Sequence, residues 1–105
     1  MLLLTTDTIP GPARMLEPLG LVKGSIVQSK NFGKDFMAGM KTLVGGEIVS
    51  YTEMLQEARA IATKRMVDEA ELLGADAVIG MRYTSSSVMQ GAAEVTAYGT
   101  AVKYV

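Results

Sequence analysis

The chain has 105 residues, 49% of them hydrophobic and 20% charged, with 10 Lys plus Arg against 11 Asp plus Glu for a net charge of −1. That length allows a single domain over 1–105 with one modest core, to which oligomerisation would add burial. Histidine and cysteine are both absent, which removes the disulfide framework, the thiolate metal site, the cysteine nucleophile and the commonest general acid–base.

Leu2-Leu3-Leu4-Thr5 reads as a short strand, and Ile9-Pro10-Gly11-Pro12 as a rigid break after it. The opening run of four apolar residues is too short for a membrane span and has no basic flank, so neither a span nor a signal peptide is expected. A soluble, cytoplasmic protein is the simplest expectation. From Leu19 to Ser29 the β-formers Leu21, Val22, Ile26 and Val27 predict a strand, and Gly20 and Gly24 mark bends or a close backbone neighbour. A first helix is expected from about Lys34 to Val44, with Phe32, Phe36, Met37, Met40, Leu43 and Val44 on one stripe and Gly45-Gly46 as its stop.

A second helix opens on the capping box Ser50-Tyr51-Thr52-Glu53. Its apolar stripe runs through Tyr51, Met54, Leu55, Ala58, Ile61, Ala62, Met66, Ala70 and Leu73, with Gly74 to close it. Lys64–Asp68 and Arg65–Glu69 are opposite charges four apart on its wet side. Ala75 to Ser85 and Ala92 to Tyr104 then read as strands joined by a mobile hairpin loop from Ser85 to Gly91. The last strand carries Ala93, Val95, Ala97, Gly99 and Ala101 on one side, a small-residue row on which a helix can lie close. Its other side carries Glu94, Thr96, Tyr98, Thr100, Val102 and Tyr104, too apolar for a freely solvated face, which points to cover by another chain.

An ordered set of short motifs resembles a known family. It consists of Asn31-Phe32-Gly33-Lys34-Asp35-Phe36-Met37-Ala38-Gly39, Val44-Gly45-Gly46, Tyr51 with Ala58-Arg59, Leu73-Gly74-Ala75-Asp76-Ala77-Val78-Ile79-Gly80, and Tyr98-Gly99-Thr100-Ala101-Val102-Lys103. Singly these are weak; together, from about Leu19 to Lys103, they resemble the YbjQ-like family of small bacterial proteins, which carries a heavy-metal-binding label and no established reaction. The resemblance implies an α+β subunit with a two-layer, dodecin-like arrangement: an antiparallel sheet with two helices on one face. It also implies a ring-shaped homo-oligomer, a homopentamer. Two positions depart from the family pattern. Glu47-Ile48 stands where an Arg and a Ser are usual, and Met81-Arg82-Tyr83-Thr84 where acidic residues are frequent. Both weaken a metal role.

Weighed as chemistry, eight methionines suggest a soft-metal site, but Met37, Met40, Met54 and Met66 fall on the apolar stripes, where methionine is ordinary core filler. Met89 is the one read as free to bind, and one thioether is not a site. Asp68 and Glu71, three apart, are the candidates for a hard cation, against the blander reading of a solvated helix face. Gly45-Gly46 could present amides to an anion, though a plain turn is the more ordinary use of such a pair. Asp35, Lys41, Glu47, Tyr51, Arg82 and Tyr83 lie near element ends, where oligomer interfaces gather polar groups around ligands.

No phosphate loop, nucleophile elbow or dinucleotide fingerprint is present. The basic residues are scattered, only Lys64-Arg65 being adjacent, so no nucleic-acid partner is expected. The reading is a non-catalytic homo-oligomer that holds a small ligand or metal ion at its subunit interfaces, with no cofactor otherwise implied. The alternatives are a scaffold for itself or another protein, and an interface enzyme using Lys, Tyr or Asp.

Overall fold

A computed structural model describes the backbone at residues 1–11, 15–29 and 32–105, and the side chains at 1–11, 15–29 and 51–105. Along the chain it places β1 (Leu2–Leu3), β2 (Leu16–Ser29), α1 (Phe32–Leu72), β3 (Ala77–Met89) and β4 (Ala92–Tyr104). The strands form one sheet in the order β1-β3-β4-β2, and α1 rests on one face of it, chiefly over β2 and β4. The fold is α+β in two layers.

Two architectural expectations need correction. The sheet is mixed: β1 runs parallel to β3, while β2–β4 and β3–β4 are antiparallel. And the described chain carries one helix where two were expected, because Gly45, Gly46 and Ser50 all fall inside α1. A glycine in a helix interior costs about 1 kcal/mol relative to alanine, a preference that neighbouring residues can outweigh. Two glycines and a capping sequence therefore permit a break without imposing one. At the other end the expected stop holds. Gly74 takes φ +78° just past α1, with its amide on the Glu71 carbonyl at 3.0 Å and that of Ala75 on the Ala70 carbonyl at 3.1 Å.

The core forms where the buried stripe of α1 meets the inner face of the sheet. Met54, Ala58, Ala62, Met66 and Ala70 recur every four residues and are buried. From Ala58 to Ala70 they share one cluster with Val22 on β2, Val78 and Met81 on β3, and Val95, Ala97 and Ala101 on β4. The small-residue row of β4 is buried throughout, as its pattern predicts. At Gly24 the helix lies against the strand itself: the Ala62 carbonyl oxygen and the Met66 amide nitrogen stand where a Cβ would go, and the Arg65 Cβ is 2.7 Å from that point.

β2 begins at Leu16, earlier than predicted, and passes through Pro18. Proline is tolerated there because β2 is an edge strand, and the register shifts between Pro18 and Gly20. β3 runs on to Met89, so the serine-rich segment expected to be a loop is strand. Ser85 lies opposite Val95, Ser86 opposite Glu94 and Ser87 opposite Ala93, leaving only Gln90-Gly91 as the connection. The far end of β4 needs a partner for its backbone groups, and that demand outweighs the turn preference of serine.

Candidate functional site

The groups singled out in the sequence do not converge within the described part of one copy. The side chains of Asp35, Lys41 and Glu47 lie outside the described residues, and Gly45-Gly46 falls inside α1, where interior amides bond carbonyls four residues back and are not free to cradle an anion. Arg82 and Tyr83 are neighbours on β3, where alternation sends them to opposite faces.

Arg82 turns to the N-terminal segment, its Nη1 donating to the Thr5 carbonyl and to the Met81 carbonyl, each at 2.8 Å. The same segment is laced to β3 by main-chain bonds. The Leu4 amide donates to the Val78 carbonyl at 2.8 Å, the Met81 amide to the Leu4 carbonyl at 2.9 Å, and the Gly80 amide to the Thr6 carbonyl at 2.7 Å. Gly80, at φ +60°, makes the bulge that lets β3 follow both partners, and the register slips there between Ile79 and Arg82. Arg82 is thus a clamp on the chain's own backbone.

Tyr83 lies on the helix side, and its hydroxyl meets Thr63 Oγ1 at 2.7 Å; Thr63 Oγ1 in turn lies 2.7 Å from the Arg59 carbonyl, to which it can donate. Tyr51 is half-buried on the same helix, about 18 Å away along its axis at 1.5 Å per residue. No common pocket for Tyr51 and Tyr83 follows from that spacing.

Asp68 pairs with Lys64, Nζ to Oδ2 at 3.1 Å, with the two side chains 54% and 76% exposed respectively. This is the ion pair predicted from the spacing. Arg65 and Glu69 instead both reach β2: Arg65 Nη1 donates to the Ser25 carbonyl at 2.6 Å, and Glu69 Oε1 accepts the Lys23 amide at 3.3 Å. They cover the open backbone of an edge strand, a role no helical spacing reveals. Asp76 was also missed; its Oδ2 accepts the Tyr104 amide at 2.9 Å and ties β4 to the start of β3. The sequence signals it through its place between a helix stop and a strand, within the motif Leu73–Gly80.

A soft heavy metal does not fit the donors described here. Such ions favour thiolate, thioether or imidazole. Cys and His are absent from the chain, Met54, Met66 and Met81 are core, and Met1, Met15 and Met89 are exposed on separate segments. Among the described residues no three Asp or Glu side chains converge. Exposed pairs such as Lys64–Asp68 stabilise by a few tenths of a kcal/mol. Asp68→Ala should therefore shift the free energy of unfolding by less than about 0.5 kcal/mol in a urea titration. A loss several times larger would show that Asp68 does more than pair with Lys64.

No helix among the described residues is long and apolar enough to cross a membrane. On the outer face of the sheet, away from α1, Leu21, Val27 and Tyr98 remain exposed at 65%, 58% and 38%, whereas Val102 is buried and Tyr104 half-buried. Tyr98 stands opposite Lys23, which makes Leu21 its diagonal neighbour.

A family model described as "Putative heavy-metal-binding" matches residues 1–105. A UPF0145 protein of Clostridium novyi is 63% identical over 103 residues, covering 98% of each chain. One of Fervidobacterium nodosum is 66% identical over 103 residues, covering 98% of this chain and 94% of its own. A solved structure from Pediococcus pentosaceus, described as a protein of unknown function of the DUF74 family, superposes with a TM-score of 0.61 at 18% identity. It covers 100% of this chain and 98% of that one, a likeness that concerns the fold alone.

Proposed function

Because the chain belongs to the YbjQ family, described by its binding and by no reaction, we propose that it is a single-domain, non-catalytic homo-oligomer that holds a small ligand or ion where its copies meet. The assembly is a ring, a homopentamer, working in the cytoplasm as a soluble protein. The observation that carries this reading is the outer face of the sheet, where Leu21 and Tyr98 stand side by side and Val27 adds a third exposed apolar group. A small domain gains stability by covering such a face with another copy.

The ligand site belongs at the interfaces because, within one copy, Arg82 is spent on backbone carbonyls and Tyr83 on Thr63. Asp35, Lys41, Glu47 and Tyr51 are the groups that interface would draw on. If the ligand is a metal ion, it is a hard one taken by carboxylates such as Asp68 and Glu71 from more than one copy. The dispersal of Arg82, Tyr83, Tyr51 and Asp68 also favours a second reading, a ring that scaffolds without any small ligand.

Native mass spectrometry distinguishes these. An assembly in multiples of five carrying extra mass, lost in the Asp68→Asn/Glu71→Gln double variant, supports a bound cation. Extra mass that survives the double variant moves the site to other residues. A bare ring favours the scaffold, and a monomer overturns both readings.

A further inference from the structure

The two edges of the sheet are treated differently. On β2 the Lys23 amide goes to Glu69 and the Ser25 carbonyl to Arg65, so these residues point away from β4. Alternation in an antiparallel ladder then makes Val22, Gly24 and Ile26 the ones bonded to β4, through Gly99, Ala97 and Val95. Tyr98, Thr96 and Glu94 are left to bond β3, through Arg82, Thr84 and Ser86. The main-chain groups of Tyr83, Ser85 and Ser87 therefore point outward.

Up to Met81 that outer edge of β3 is covered by the N-terminal segment, as the bonds of Leu4 and Thr6 show. Beyond it, among the described residues, nothing pairs with the edge. From Tyr83 to Ala93 there is no charged residue and no proline. Those are the usual devices against strand addition, together with a covering element and a bulge. β2 has the covering side chains; the outer half of β3 has none until the register slips again between Ser87 and Met89.

We infer that this stretch, Tyr83 to Ser87, is a docking edge for the same stretch of a second copy. The two strands pair antiparallel about a two-fold axis through Ser85. Tyr83 then faces Ser87 twice and Ser85 faces itself, which forms about six main-chain hydrogen bonds. The edge suits a copy of itself because it is neutral: identical strands placed face to face bring no like charges together. An isologous contact of this kind joins copies in twos. It goes beyond the proposed ring, which it would double, and it uses the sheet edge where the ring uses the sheet face.

The test is native mass spectrometry of the full chain beside Ser85→Pro and Ser85→Lys, with circular dichroism to confirm the fold. Proline at Ser85 removes only an outward amide, so the copy itself should remain folded, and lysine sets two like charges at the axis. The wild type should contain an even number of copies, and each variant half that number. An odd-numbered wild type, or variants that keep the full mass, would overturn the edge contact. The ring reading is judged separately, by whether the halved species is still a ring or falls to monomer.

Discussion

Gly24→Ala should lower the stability of the fold by about 2 kcal/mol or more, read as a shift in urea midpoint. Propensity alone gives the opposite sign, since glycine within a strand costs roughly 0.5–1 kcal/mol relative to alanine. What reverses it is the helix. The space a Cβ would take is held by the Ala62 carbonyl and the Met66 amide, which are backbone and cannot rotate away, and by the Arg65 Cβ at 2.7 Å. To admit one methyl group, α1 must lift from β2. That lift loosens the packing of Val22 and Met66 and pulls Arg65 and Glu69 from the edge they cover. Overpacking of a close-packed site costs about 1–3 kcal/mol and more when the backbone has to move. A neutral or stabilising Gly24→Ala would mean that the helix does not rest on β2 at this point.

What could be read in advance follows the range of the interactions. The buried stripe from Met54 to Ala70, the stop at Gly74 and the small-residue face of β4 are periodic, local signals, and they stand in the structure as the sequence implies. Gly24 predicts a bend or a close backbone neighbour, and the close neighbour is what the structure holds there. Apart from the break at Gly45-Gly46 and the capping box at Ser50, local signals that α1 runs straight through, the readings that failed concern pairings between distant segments. Nothing local in Leu2–Leu3 says that it lies parallel to β3, and nothing in Ser85-Ser86-Ser87 says that β4 will recruit it. Likewise the four-residue spacing of Arg65 and Glu69 favours an ion pair, but an exposed pair of that kind returns only a few tenths of a kcal/mol, little enough for the Ser25 carbonyl and the Lys23 amide on β2 to take both side chains instead. The candidate site was less legible still. Its residues stand near the element ends that the sequence predicts, and a group such as Arg82 can be claimed there by a neighbouring carbonyl as readily as by a ligand.

Met66→Ala should cost about 3–5 kcal/mol, in the upper part of the range for deleting a large buried aliphatic side chain. Met66 is fully buried and is the largest of the fully buried side chains, set among Val22, Val78 and Val95. The rest of this core is largely alanine: Ala58, Ala62, Ala70, Ala97 and Ala101. Alanines cannot extend into a gap, and valines are held near one rotamer by branching at Cβ. The space left by the thioether therefore stays open instead of collapsing, and the cost of such a deletion grows with the volume that remains. Met66→Leu separates lost volume from lost sulfur, since a swap of similar size should cost less than about 1.5 kcal/mol. If Met66→Ala unfolded within about 1 kcal/mol of the wild type, the helix would have to present a different face to the sheet, and the positions of Arg65 and Glu69 over β2 would be lost with that register.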